Sequence, residues 1–352
     1  MTFFHMSHTD LDGYGCQLIS KKIYPNGNFY NANYGSEVKS TINTILAKIK
    51  EIVFLNKAEE ILFLISDLNL TIDESKNLNK SIQSFNDNGQ NVKLQLLDHH
   101  ATGEPSALKY DWYFLDNKRS ATKIVFDYFM ENYPEFDSLC SDDFKLLIEA
   151  IDDVDIWCEN DEYFEFGKVA MRLISNASEI NSTMFPDENR NFRHFLLTES
   201  TKFITLNDGH ILLDDEMHNL KKAYLKLDGK NNTIDNLSAQ YLVYLMKNKK
   251  DDLCVYYKGH KGLLTYNLFS ISIPANTFLK ENTDFDFFVN INKKGHSSFR
   301  ANGKVDVSLL AQKLANGGGH PNASGAYFDD FKETADYNNV KKYFNSKLAS
   351  IE

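Results

Sequence analysis

An apolar run, Val92 to Leu97, leads directly into Asp98-His99-His100, one acid and two imidazoles at the end of a strand-like segment. Burying that much titratable material is unfavourable unless metal ions or charge partners satisfy it. Three other segments offer similar groups. Residues 2–7 run into His8-Thr9-Asp10-Leu11-Asp12-Gly13, Ile61 to Ser66 ends at Asp67, and a helical stretch ends in Ile151-Asp152-Asp153-Val154-Asp155-Ile156-Trp157. Taken singly, an aspartate after a strand is usually a turn or cap residue, and a lone histidine is usually a satisfied surface or core group. Four acid-bearing ends in order, one with two histidines, are harder to explain as caps. Carboxylates plus imidazoles, with no thiolate, suit a pair of divalent cations: Mn²⁺ first, with Mg²⁺, Co²⁺ or Fe²⁺ as rivals. Two such ions roughly 3.5–4 Å apart clamp a phosphoryl group for in-line displacement. Asp67, at the tip of a hydrophobic strand, is placed to bridge them.

A second constellation, read as a recognition loop, is Gly317-Gly318-Gly319-His320-Pro321-Asn322-Ala323-Ser324-Gly325-Ala326. Three successive glycines let backbone N–H groups approach a phosphate closely, and His320 adds a directional donor. A flexible turn explains one or two glycines, but not the whole run with His320 and Gly325. Ser297-Ser298-Phe299-Arg300 lies upstream. Ser120-Ala121-Thr122 offers a hydroxyl that either touches substrate or simply caps a helix, and Arg119 beside it adds positive charge. Trp157 is read as a packing residue, and Cys16 as a thiol packed in the first helix.

These groups need a scaffold. Residues 2–7, Phe29 to Asn33, Ile61 to Ser66, Val92 to Leu97 and Asp111 to Leu115 read as strands. Gln17 to Tyr24, Val38 to Ile49, Asp73 to Phe85, Ser120 to about Met130 and a segment opened by Ser141 read as helices. Alternation of this kind predicts a parallel, doubly wound α/β sheet with the Val92–Leu97 strand at its centre. Gly13 and Gly15 allow a tight turn and a helix start close to the sheet. From Tyr163 to about Met246 the pattern is helical, and Lys249-Lys250-Asp251-Asp252 marks a boundary. Strands then return at Cys254 to Tyr257, Leu263 to Ser272, Phe285 to Ile291 and Ser297 to Ala301. Helices follow at Val307 to Ala315 and from about Thr334 to Leu348. The expected division is 1–160, a catalytic metal-binding domain; 161–250, a helical connecting region; and 251–352, a smaller mixed α/β domain.

The chain has 352 residues, enough for two cores. Its formal net charge of -11 argues against wide contact with long nucleic acid, which draws on many Lys and Arg, but leaves room for a short nucleotide in a local basic pocket. No apolar run approaches a membrane span. The N-terminus lacks a signal-peptide pattern, and the four widely spaced cysteines read as reduced thiols. A cytoplasmic protein without a membrane partner is expected.

The motifs resemble those of the DHH phosphoesterase family. His8-x-Asp10-x-Asp12-Gly13 is similar to its first motif, Asp67 to its second, Asp98-His99-His100 to the one that names it, and the Asp152 region to its fourth. Ser297 to Ala326 resembles the DHHA1 domain that accompanies many members. The resemblance implies a parallel DHH domain joined through the helical segment to a DHHA1 domain, with the active site in the cleft between them. It implies His8 and Asp10 on one metal; Asp12, His99 and a fourth-motif aspartate on the other; and Asp67 bridging. This motif departs from the Thr-Asp-Thr-Gly form of some relatives, which leaves two candidates for that aspartate: Asp152, directly after the apolar helix or strand end, is the first choice and Asp155 the second. His100 would face the substrate phosphate, Asp98 would orient a histidine, and Ser120 would sit near substrate. Arg300, Gly317, Gly318, Gly319 and His320 would hold the substrate's far phosphate. The chain most resembles small oligoribonucleases that degrade dinucleotides and other very short RNAs to mononucleotides, some of which also hydrolyse 3′-phosphoadenosine 5′-phosphate. The alternatives are a linear or cyclic dinucleotide phosphodiesterase of signalling and a non-catalytic nucleotide-binding regulator. A homodimer is implied by the resemblance alone.

Overall fold

The computed structural model describes residues 1–56 and 58–351. Internal contacts divide the chain into two compact units, Met1–Ala177 with Arg193–Met217, and Ser178–Phe192 with His218 to the C-terminus.

The first unit carries β1 (Thr2–Ser7), α1 (Leu11–Ile23), β2 (Asn28–Asn31), α2 (Ser36–Leu55), β3 (Glu60–Ser66), α3 (Ile72–Asp87), β4 (Asn91–Asp98), α4 (Glu104–Ala107), β5 (Tyr113–Leu115), α5 (Ala121–Asn132), α6 (Asp142–Asp155) and α7 (Phe164–Ser175). Its five strands are parallel, in the order β2-β1-β3-β4-β5. Successive strand residues point to opposite faces, and the apolar set divides accordingly. Phe4, Met6, Ile61, Phe63 and Ile65 pack with Val38, Ile42, Ile45 and Ile49 of α2 and Leu78 and Ile82 of α3. Phe3, Leu62, Leu64 and Leu97 pack with Ile19 of α1, Ile124, Val125 and Phe129 of α5 and Phe144 and Ile148 of α6. Helices on both faces make this the doubly wound sheet expected. The helix ends follow local chemistry: Thr71 and Glu74 form a reciprocal capping box on α3, and Ser120 and Ser141 cap α5 and α6.

One expectation about the sheet is corrected. The central strand is β3, not β4. Strand β3 is buried on both faces along almost its whole length, whereas β4 exposes Asn91 and Lys93. The chain reverses direction across the sheet between β1 and β3. In open parallel sheets ligands bind at such a switch point, outside the carboxyl ends of the strands.

Helices α8 (Pro186–Ile204) and α9 (Gly209–Leu225) each pass from one unit to the other along their length. The helices expected between residues 161 and 250 therefore fall to both units. The second unit continues with α10 (Ile234–Asn248), α11 (Lys250–Leu253), β6 (Cys254–Tyr257), β7 (His260–Tyr266), α12 (Ser272–Glu281), β8 (Phe287–Ile291), β9 (His296–Ala301), α13 (Val307–Ala315), β10 (Gly318–His320), β11 (Ala323–Tyr327) and α14 (Tyr337–Ala349). Its six strands run β10-β11-β9-β8-β7-β6, with only β7 and β8 parallel to each other. Buried Phe278, Phe285, Phe287, Phe288 and Phe299 fill its core. The glycine run read as a recognition loop is an edge strand: β10 contains Gly318, Gly319 and His320 and pairs with β11 through a hairpin.

Candidate active site

The carboxyl ends of β1, β3 and β4 bring the first constellation together. His8 follows β1, and its Nδ1 lies 2.7 Å from Asp10 Oδ2. Asp10 also caps α1, accepting the Gly13 N–H at 3.0 Å. The turn is tight enough that a β-carbon on Gly13 would lie 2.3 Å from the His8 carbonyl oxygen. A β-carbon on Gly15 would lie 2.4 Å from Thr122 Oγ1, so that glycine lets α1 approach α5. Asp12 is 1% exposed. Its carboxylate accepts the Ala121 and Thr122 N–H groups at 2.9 and 2.6 Å, at the end of α5 where backbone donors lack intrahelical partners.

Asp67 lies directly after β3, with φ +55 and its N–H donated to Leu97. The left-handed backbone turns its carboxyl among the other groups. Oδ1 is 3.4 Å from His99 Nε2 and 4.0 Å from His100 Nδ1, and Oδ2 is 3.8 Å from His8 Nδ1. Oδ2 is buried and finds no hydrogen-bond donor among the described residues. Burial, then the charges of Asp12, Asp10 and Asp155, push the Asp67 carboxyl well above its ordinary range.

His99 completes the arrangement. Its Nε2 is 3.7 Å from Asp12 Oδ2, and its Nδ1 is 3.4 Å from Asp155 Oδ2. His100 Nδ1 lies 2.7 Å from Asp98 Oδ1. Asp98 is fully buried and also accepts the Tyr113 hydroxyl at 2.7 Å. A carboxylate only accepts, so the proton of a neutral His100 sits on Nδ1, and Nε2 lies toward the Tyr34 hydroxyl. Burial opposes charge on His100, but the Asp98 contact outweighs it and the imidazole pKa is raised.

Three groups of potential ligands result, His8–Asp10–Asp67, Asp12–His99–Asp155 and Asp67–His99–His100, the ligand atoms of each within 4.8 Å of one another. The donor set fits hard or borderline divalent cations: oxygen and imidazole nitrogen, two ligand groups sharing Asp67, and one buried carboxylate oxygen without a donor. Cys16 stays outside it. Burial, followed by the Asp12 and Asp67 charges, pushes its thiol well up.

Two expected site residues are placed differently. Asp152 is turned to α5, where its Oδ1 accepts the Ser120 N–H at 2.6 Å; the aspartate beside His99 is Asp155. Ser120 is fully buried and accepts the Lys123 N–H as the α5 cap. Arg119 is engaged by Asp116 and Asp127.

Tyr34 went unnoticed in the sequence. Its hydroxyl lies 3.1 Å from His100 Nε2 and 3.4 Å from Nδ1, and its ring packs 5.0 Å from that of His8. Burial, and then Asp67, Asp98 and Asp10, raise its pKa, so the phenol keeps its proton. It sits in an irregular turn after β2, and only the left-handed Gly35 beside it (φ +85) marks that turn in the sequence.

In the second unit, register aligns the other constellation. Arg300 on β9 pairs with Ala323 on β11, and Ala323 pairs with His320 on β10. Directly paired residues share a face, so Arg300 and His320 flank Ala323 at about two strand spacings, roughly 10 Å. Ser298, Gly325 and Gly318 form the next row on that face. Small residues thus floor a strip bounded by a guanidinium and an imidazole. Arg300 is steadied by the Phe299 carbonyl at 2.9 Å and the Ser272 hydroxyl at 3.1 Å. A β-carbon on Gly317 would lie 2.3 Å from the Gly325 carbonyl oxygen.

Residues 270–350 match the DHHA1 domain family. The chain is 43% identical over 342 residues to a 3′,5′-cyclic-nucleotide phosphodiesterase of Helicobacter pylori, covering 97% of each chain. It is 24% identical over 336 residues to the oligoribonuclease NrnB of Bacillus subtilis, covering 93% of this chain and 73% of that one. An uncharacterized protein from Helicobacter pylori G27, known by its crystal structure, shares its fold with a TM-score of 0.89 and 42% identity over 99% of both chains. The strand-end motifs, the match over 270–350 and identity of this extent along nearly the whole chain lead to one conclusion: the chain belongs to the DHH phosphoesterase family, in the branch that carries a DHHA1 domain.

Proposed function

We propose that this chain is a metal-dependent phosphodiesterase of small nucleotides. The observation that carries the reading is the buried Asp67, common to the His8–Asp10–Asp67 and Asp67–His99–His100 groups, with one carboxylate oxygen left without a donor among the described residues. His8, Asp10, Asp67, Asp12, His99 and Asp155 would hold two divalent cations, Mn²⁺ being the best match to the donors. When bound, such cations supply electrophilic activation of phosphorus and of water.

The chain's own groups do the remaining work. Asp98 fixes the ring of His100, which in its charged form donates from Nε2 to a non-bridging phosphoryl oxygen, where negative charge grows during displacement. Tyr34, a protonated phenol against the same ring edge, holds that imidazole and offers a second donor. The first turn of α5 fixes Asp12. In the second unit, Arg300, His320 and the backbone of Gly317 to Gly319 would form an anion strip suited to a phosphate, for which the planar guanidinium offers paired donors.

The 43% identical relative speaks for 3′,5′-cyclic nucleotides as the first substrate class. The more distant oligoribonuclease supports a second, very short linear RNA. The test is a panel with metal-stripped protein, each substrate with and without added Mn²⁺. It holds 3′,5′-cyclic mononucleotides, linear dinucleotides, longer RNA and DNA, cyclic dinucleotides, 3′-phosphoadenosine 5′-phosphate and pyrophosphate. Mn²⁺-dependent cleavage confined to small nucleotide esters is expected. Fast cleavage of long RNA or DNA contradicts the size limit, and metal binding without turnover of anything returns the chain to the nucleotide-binding regulators. Within the same assay, Tyr34→Phe is expected to lower kcat about tenfold, the order of one weakened hydrogen bond to a charged group. Mn²⁺ affinity, measured by calorimetry, should stay unchanged.

A further inference from the structure

Helix α6 delivers Asp155 to His99 and then stops. Ile156 is its C-cap, and Trp157 follows in the left-handed region, φ +59. That position favours glycine or asparagine, and a bulky side chain there is unusual. Burial does not account for the choice, because Trp157 is 57% exposed, the reverse of the packing role its sequence suggests. Backbone strain of this kind persists where function maintains it.

The exposed ring is nevertheless held. Its indole N–H donates to Glu159 Oε1 at 2.7 Å, and it meets Phe164 edge-to-face with centroids 5.2 Å apart. Phe164 is 4% exposed and opens α7, so the brace is itself anchored in the core. Beside the indole is a cavity of about 350 Å³ lined by Trp157, Cys158, Glu159, Asn160 and Asp161. A flat, oriented aromatic surface next to a polar-edged hollow, two residues beyond Asp155, is what a nucleobase requires. Stacking supplies affinity for any base, and the Glu159 and Asn160 edges supply hydrogen bonds.

We propose that Trp157 is the floor of a nucleobase subsite, stacking the base of a nucleotide whose phosphate is turned over at the Asp67 centre. The subsite's position in catalysis rests on the phosphodiesterase reading, but base binding there does not depend on turnover.

The chain holds two tryptophans, Trp112 and Trp157. Trp112 is half-buried, donates to Asn79 at 3.0 Å and stacks with Tyr110 and Tyr113. Trp112→Phe therefore leaves a protein whose indole emission reports Trp157 alone. Titrating that variant with adenosine 5′-monophosphate should quench the emission. Ribose 5-phosphate, which lacks only the base, should not. In the otherwise unaltered chain, Trp157→Ala should weaken adenosine 5′-monophosphate binding about tenfold and raise KM for a nucleoside diester with kcat nearly unchanged. Trp157→Phe should restore most of the loss, which a merely structural contact would not require.

Equal responses to both ligands overturn the proposal, and so does unchanged affinity for adenosine 5′-monophosphate in Trp157→Ala. Quenching by the nucleotide without cleavage of any diester removes the phosphodiesterase reading and leaves the subsite. Cleavage with an unaltered KM in Trp157→Ala does the reverse.

Discussion

Asp67→Asn is expected to lower turnover at least about a thousandfold while leaving the metal-free protein as stable as the parent or more so. The loss follows from geometry: Asp67 is the carboxylate common to the His8–Asp10–Asp67 and Asp67–His99–His100 groups, and electrostatic groups of this centrality carry several kcal/mol of barrier lowering. The stability follows from what the carboxylate experiences without cations. It is 1% exposed, one oxygen has no donor, and Asp12, Asp10 and Asp155 surround it. Its folded pKa stands above the value of about 4 it has in an unfolded chain. The folded state therefore holds a proton that the unfolded state has released. Across that interval the metal-free protein loses stability as pH rises, and below it the group contributes no penalty. Asparagine removes this pH dependence, fills the same volume and tolerates the left-handed backbone. Melting with and without Mn²⁺ at mildly acidic and alkaline pH checks both halves. The parent should gain Tm from Mn²⁺, more at the higher pH where fewer protons must be displaced, and the variant should gain little at either. Full activity in Asp67→Asn would dismantle the site assignment.

The strand-end cluster of acids and histidines is legible because each group follows an apolar run and strand ends are where this fold presents its chemistry. The order of the strands was harder to read, although the sequence holds a clue. Ile61 to Ile65 is unbroken, as a strand covered on both faces must be, whereas Lys93 and Gln95 interrupt Val92 to Leu97 and mark it as the less central of the two. The glycine run reads as a loop in the sequence because glycine is depleted in strands. Only its register against β11, and of β11 against β9, shows why Arg300 and His320 share a face. Tyr34 and Trp157 both lie in irregular segments, where no periodicity tells which way a side chain points. Both are exposed, and their contacts separate them: the Tyr34 hydroxyl reaches His100, while the Trp157 indole is held by Glu159 and Phe164.

The choice of the fourth-motif acid that would serve the metals yields the second large effect. Asp152 and Asp155 are three residues apart, so they lie near one face of α6, and spacing alone does not choose between them. The structure separates them by depth along the helix. Asp152 meets the start of α5 and accepts the Ser120 N–H at 2.6 Å, while Asp155, one turn further, reaches the far nitrogen of His99 at 3.4 Å. Asp155→Asn should therefore cut kcat by about a hundredfold or more and weaken Mn²⁺ binding, with the fold intact. Asp152→Asn should bind Mn²⁺ and turn over within a few fold of the parent, and should instead lose about 1 kcal/mol of stability, the order of one helix-end hydrogen bond to an acid. Kinetics, metal titration and melting on the two variants give opposite patterns under the two assignments. If Asp152→Asn is the variant that loses metal and turnover, then the Ser120 contact is secondary, and α6 must present its acids one turn earlier than its hydrogen bonds to α5 imply.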